Sequence, residues 1–292
     1  MSTIQSILLK GVVHTITLPV FSAKPTDEFI LRSGTGFGPP EVDIGLSPTP
    51  PMGSSYMGSH PRDREIVLLI RMNPDYTGPN YRAVSELRAL LYRLMGSNVP
   101  ITIIVNTDST DTSQEYVPST MQTTGHIRRI ETAPFAKDTD IQVTLACEDA
   151  VFVAPTVMSI VSDLPKPILY NASAPTGFTY SFILRANVAG TLSLRTHQVL
   201  PYTEMATLPA TAALKANDIL KFDTRPLLRK ITVTRAADGK VVDLTGLLDL
   251  SSKAWPQLHP GNNTVTVLEG GTALNPQPIT DMFTYTKQYW GV

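Results

Sequence analysis

The sequence predicts a mainly β protein built as two domains, and three observations carry that reading. Charged residues make up only 17% of the chain while 24 prolines and 18 glycines punctuate it. That balance suits many turns and few exposed helices. Short alternating or apolar runs recur along the whole length, each bounded by turn residues, as strands are. Only one segment carries a strong helical period. With 292 residues, 42% of them hydrophobic, the chain can bury two ordinary cores.

The elements follow in order. Residues 7–20 read as a strand, in which Leu9, Val13 and Ile16 alternate with threonines and Gly11 marks a bulge. Residues 29–31 form a short second strand. Segment 33–63 is dominated by Gly, Pro, Ser and Met, including Gly34, Gly36, Gly38, Pro39 and Pro40, then Pro48, Pro50, Pro51 and Gly53. It is expected to be a long irregular loop, and loops of that length in compact domains are usually functional or ordered by a partner. Residues 64–72 form a strand that is apolar on both faces from Ile66 to Ile70. A helix is expected over 81–95, because Val84, Leu87, Leu91 and Leu94 fall on one face at helical spacing. Asn80 serves as its N-cap and Gly96 as its C′ residue. Strands at 101–105, 125–133 and 140–148 follow, with a polar loop at 106–113.

Leu164-Pro-Lys-Pro167 is the best linker, dividing a domain of residues 1–164 from one of residues 165–292. Beyond it lie only strand and turn signals, at 179–184, 190–194, 218–222, 229–234 and 241–244, with Asp238-Gly239 as a hairpin turn. Short strands at such regular spacing argue a β-sandwich.

Charge and composition exclude several functions. The net charge is -1 and there is no Lys/Arg run, so the chain lacks the basic field that sequence-independent nucleic-acid binding needs. No apolar stretch approaches the ~20 residues that span a bilayer, and the N-terminus carries no secretory pattern. Both features predict a protein made and folded in a cytoplasm. Cys147 is the only cysteine and sits in the apolar alternation Val143, Leu145, Cys147, as a buried small hydrophobe would.

Catalytic chemistry finds no anchor. Gly34-Thr-Gly36-Phe-Gly38 has no Gly-Lys-Ser/Thr ending and is followed by two prolines instead of a helix, so it is no phosphate loop. Asn106-Thr-Asp108-Ser-Thr-Asp111 is mis-spaced for a calcium loop. His14, His60, His126, His197 and His259 show no metal spacing. No cofactor, no metal site and no catalytic residue is expected. Trp255, Tyr285, Tyr289 and Trp290 suit core or interface packing and would alternatively make a sugar-stacking platform.

The C-terminal stretch is the most specific. Trp255-Pro-Gln-Leu258-His-Pro260-Gly261-Asn-Asn263 leads into the alternating run 264–267, and the chain closes on an aromatic strand ending in Tyr289 and Trp290. Pro260 sets φ, Gly261 takes a positive φ and Asn263 bonds the local backbone, a structural turn. This punctuation, with the strand–helix–strand order of the first domain, resembles the distal tail (Dit) proteins found at the tip of long-tailed bacteriophages. The resemblance covers most of the chain and rests on the order of elements more than on any one motif. It implies a tail-tube-like N-terminal β-barrel or sandwich with one helix, followed by a galectin-like C-terminal sandwich. It also implies a structural virion protein and not an enzyme: a homohexameric ring hub at the tail tip, assembled in the host bacterial cytoplasm. Its implied partners are other copies of itself, the tail tube protein, the hub or central fibre protein and the tape measure protein, with DNA passing through its channel unbound. A carbohydrate-binding module for a host-surface glycan and a tail tube protein are the alternatives.

Overall fold

A computed structural model describes residues 3–12, 14–20, 27–48, 54–73, 83–96, 99–109, 118–131, 139–160, 167–198, 203–249 and 255–291. The chain divides into two compact units, Met1–Pro155 with Tyr289–Val292, and Thr156–Gln288.

In the first unit a hairpin of β1 (Ile4–Lys10) and β2 (Thr15–Pro19) is followed by β3 (Phe29–Thr35). A separate ribbon of β4 (Val42–Pro48) and β5 (Ser54–Pro61) comes next. Then come β6 (Glu65–Met72), the helix α1 (Val84–Met95), β7 (Ile101–Thr107), β8 (Thr120–Glu131), β9 (Asp140–Cys147) and β10 (Phe152–Ile160), whose last residues, from Thr156, already belong to the second unit. The hydrogen-bonded order is β2-β1-β7-β8-β9-β6-β3, antiparallel throughout. The two edge strands, β2 and β3, approach within 8 Å between Cα atoms without forming a ladder, so the sheet curls toward a barrel.

Period-two burial explains the curl. Ile7 and Leu9 of β1, Ile66, Leu68 and Ile70 of β6, Ile103 and Val105 of β7, and Val143 and Leu145 of β9 are all wholly buried. Alternate residues of each strand therefore share one core. The helix lies against β6. Its Leu87 and Leu91 are wholly buried, Leu94 is nearly so and Val84 is half-buried.

Three expectations change here. Residues 7–20 are not one bulged strand. They belong to a tight hairpin, in which the Gly11 N–H donates to the His14 carbonyl at 2.9 Å. A Cβ on Gly11 would stand 2.8 Å from Leu94 Cδ1, so the end of that leucine side chain would have to shift to admit it. The helix begins at Val84, where Glu86 reaches back to accept the Ala83 N–H at 3.0 Å. The expected N-cap, Asn80, lies outside the described residues. Gly96 is extended, at φ -70, so the helix ends without a left-handed cap. Finally, segment 33–63 is not irregular: it holds the end of β3 and the whole β4–β5 ribbon.

The second unit is a two-sheet sandwich. Its strands are β11 (Pro167–Tyr170), β12 (Phe178–Ile183), β13 (Leu192–His197), β14 (Thr203–Leu208), β15 (Ile219–Asp223), β16 (Lys230–Thr234), β17 (Val241–Asp243), β18 (Gly261–Glu269), β19 (Thr272–Ala273) and β20 (Ile279–Tyr289). One sheet runs β17-β16-β15-β12-β20, and the other runs β14-β13-β18-β11 with β19 beside β18. Aromatic rings fill the space between them. Phe178 stacks on Phe283 at 4.9 Å, Phe182 on Phe222 at 6.0 Å, and Tyr170 meets Tyr285 edge-on at 5.8 Å across the two sheets. Such pairs add ~0.5–1.5 kcal/mol each beyond their buried area.

Leu91→Ala should cost the first unit ~2–5 kcal/mol, the range for emptying a fully buried leucine site. Urea unfolding measures it, and a loss below ~0.5 kcal/mol would contradict the helix packing.

Candidate assembly interface

The feature that organises the first unit is Arg64, which lies just ahead of β6 and is only 3% exposed. Its Nη1 donates to the Gly36 and Gly38 carbonyls, its Nε to Ala150, and its Nη2 to Ala150 and Trp290. Its guanidinium carbon sits 4.4 Å above the centre of the Phe152 ring, which stacks in turn on Phe37. No carboxylate among the described residues pairs with it. Burial pulls the guanidinium below the usual arginine range, and nearby Cys147 works the other way. Four carbonyl dipoles and an aromatic face replace water around the charge, so it stays buried without a counter-ion. The same burial pushes the Cys147 thiol up to about 11, so it stays protonated and inert at neutral pH.

Glycines make the clasp possible. Gly36 has φ +90, and a Cβ there would fall 2.0 Å from the Glu65 carbonyl oxygen. A Cβ on Gly291 would fall 2.6 Å from the Phe37 carbonyl oxygen. The Gly34–Gly38 run, a poor phosphate loop in sequence, is in the structure the backbone cradle of a buried arginine. The chain end, with Tyr289 wholly buried, belongs to the first unit because Arg64 holds the Trp290 carbonyl there.

From this clasp the β4–β5 ribbon leaves the barrel. Its root is tied by Arg62, which donates to Asp43 at 2.7 Å and Glu41 at 2.8 Å. These hydrogen bonds and charges raise the arginine's pKa. Neither strand pairs with any other described strand. Seven to eight residues a side give a ribbon ~23 Å long at strand rise. Val42 and Ile44, alternate residues of β4, are 50% and 61% exposed. An isolated two-stranded ribbon is marginal in water, and this one shows apolar side chains together with two unpaired edges, an open template for another chain. A cleft of about 370 Å³ at its root is lined by Pro39, Pro40, Glu41 and residues 62–65.

The residues singled out in the C-terminal sequence separate into two places. Leu258 is wholly buried and pairs with Thr176, while Pro260 is exposed and Gly261 has φ +107. Asn263, 1% exposed, accepts the His259 N–H at 2.9 Å and donates to the His259 and Gly261 carbonyls at 2.7 and 2.9 Å. Glu204 braces the turn from β14, accepting the Gln257 N–H at 2.7 Å and facing His259 at 3.2 Å. Trp255 is half-buried beside this turn in the chain, whereas Tyr289 and Trp290 lie in the other unit. Tyr285 and Tyr289 are buried, so neither offers a ring face to a sugar. Among the described residues, no group of three His, Cys, Asp or Glu could hold a metal ion, and no helix is long and apolar enough to cross a membrane.

No protein-family profile and no curated protein matches the sequence. Solved structures do. The crystal structure of the SPP1 Dit protein, a paradigm of the hub adsorption apparatus in phages that infect Gram-positive bacteria, matches with a TM-score of 0.56 at 13% identity, over 97% of this chain and 98% of that one. A chain of the phage P2 baseplate in its activated conformation with Ca matches at 0.42 and 6% identity, over 99% of this chain and 100% of that one. A further P2 baseplate structure, with Sr, matches at 0.41 and 6%, over 97% of each chain. The two P2 baseplate matches lie below the likeness that marks a shared fold. The SPP1 match establishes that the chain has the SPP1 Dit fold from end to end.

Arg64→Met should destabilise the first unit by ~2 kcal/mol or more, since four part-buried main-chain carbonyls lose their donors together. Arg64→Lys should recover only part, because an ammonium cannot span the fork. Gly36→Ala should cost ~2 kcal/mol or more through backbone strain and clash. Chemical denaturation reads all three, and wild-type stability of Arg64→Met would refute the clasp.

Proposed function

We propose that the chain is a distal tail protein, a structural component of a bacteriophage virion and not an enzyme. In this reading residues 1–164 close into a homohexameric ring and residues 165–292 form a galectin-like docking domain. One face of the ring meets the tail tube and the other the hub or central fibre at the tail tip, and the central channel passes the tape measure protein and then DNA. The observation that carries the reading is the end-to-end likeness to the SPP1 Dit fold.

The physical logic supports it. The β4–β5 ribbon has unsatisfied edges and exposed apolar residues on a mount that is tied at its root. Closed rings satisfy such edges by giving each subunit's ribbon to its neighbour. A net charge of -1 suits a channel lining that lets DNA pass without holding it.

A Val42→Asp/Ile44→Asp double variant tests the ribbon's part. Both side chains are exposed, so the variant should melt within a few degrees of wild type while its solution mass falls from the ring to the single chain. A ring of unchanged mass would remove the ribbon from the assembly.

A further inference from the structure

The sandwich unit carries two features that its own stability does not require, at opposite ends of the β15–β16 hairpin. The first is the turn of residues 225–228. The Leu228 N–H donates to the Arg225 carbonyl at 3.1 Å, Pro226 occupies the second position, and Leu227 at the third has φ 65. A turn of this kind takes glycine or asparagine at its third position, because a side chain there is strained. This chain places a leucine there, 97% exposed, followed by Leu228 at 55%.

The turn is firmly mounted. Arg225 Nε donates to Asp223 at 2.8 Å, and Thr224 exchanges backbone and hydroxyl hydrogen bonds with Phe178. Gly177 packs so closely that a Cβ would lie 2.5 Å from Arg225 Cα. The result is a preorganised apolar knob with the exposed Arg229 beside it.

At the other end lies a hollow of about 570 Å³ lined by Ala213, Ala216, Ala236 and Ala237, with Asp238 and Lys215 as its exposed charges. Its floor is fixed by Asp218 and Arg235, paired at 2.8 Å, and Arg235 also donates to the Ala212 and Ala213 carbonyls. Burial alone would raise the Asp218 pKa, but hydrogen bonds from Ala236, Lys215 and Arg235 outweigh it and keep the carboxylate ionised. Ala213 and Asn217, at φ 49 and 64, shape the rim. With Leu227 they are the three non-glycine residues of positive φ among those described, and all three belong to these two ends. Asparagine takes this region readily, so the strain falls on Ala213 and Leu227, one at each end, and backbone strain of this kind clusters at working surfaces.

We propose that the Leu227–Leu228 knob of one copy seats in the alanine-lined hollow of the next, with Arg229 of the first facing Asp238 of the second. The occupant is a second copy because the knob is apolar with a cation, Arg229, beside it, while the hollow is lined by four alanines with a carboxylate, Asp238, at its edge. Knob and hollow are separated along β15 by the span from Asp223 to Ile219, on the order of 14 Å at strand rise. A knob and a socket at opposite ends make a head-to-tail contact, the type that closes into rings. The inference rests on the ring reading above and adds a second band of contacts, made by the sandwich units.

Oxidative crosslinking of the full-length Leu227→Cys/Ala237→Cys variant tests it, with native mass measured on the same sample and Cys147 buried out of reach. The expected result is a covalent ladder extending beyond dimer, absent from either single variant. A closed oligomer by native mass with no such ladder overturns the knob contact and leaves the ring reading standing. A monomer with no ladder, both alone and mixed with a tail tube protein, overturns both. Leu227→Gly supplies a control for folding: it should unfold no earlier than wild type and self-associate at least tenfold more weakly. Unchanged association would also overturn the contact.

Discussion

The first unit depends on one buried cation. Arg64 gathers stretches that lie far apart in the chain: the turn after β3, the connection between β9 and β10, and the chain end 226 residues away at Trp290. A carboxylate in that position would make a local pair and leave the carbonyls unserved. The guanidinium fork instead reaches several acceptors at once and sits over the Phe152 ring. Removing it takes the donor from four part-buried main-chain carbonyls at once. The ribbon springs from the same place, so the clasp also fixes the direction in which the β4–β5 arm leaves the barrel.

In the proposed ring, that arm links fold to assembly. A barrel whose strands all pair has no need of neighbours. A barrel that sends out a ribbon with open edges carries an incomplete sheet, and another chain is the natural completion. The sandwich unit, by contrast, is self-sufficient, with both sheets meeting over the aromatic rings of Tyr170, Phe178, Phe182, Phe222, Phe283 and Tyr285. Among the described residues, its three non-glycine positions of positive φ lie at the two ends of one hairpin, which is why those ends read as surfaces for contact.

Much of this was legible in the residues. The Leu87, Leu91 and Leu94 stripe placed the helix, and the Pro260-Gly261 pair with Asn263 placed the turn, because both are written in side-chain type and spacing. The ribbon was hidden for the opposite reason. Its first strand alternates briefly at Val42, Ile44 and Leu46, but that run lies among glycines and prolines, and its partner strand, where Gly58 opposes Gly45, carries no alternation to match. The Arg64 clasp was hidden because its partners are carbonyl oxygens, which every residue has. Its faint signals were an arginine directly before an apolar strand and the glycines at 34, 36 and 38 that it would face. Leu227 gave no signal, since a leucine after a proline becomes unusual only once its φ is known.

Native mass spectrometry with negative-stain imaging of the purified full chain, alone and with a tail tube protein, tests the central claim most directly. A six-membered closed ring with an open pore is the result this account predicts. A chain that remains monomeric at every concentration and in both mixtures would contradict it.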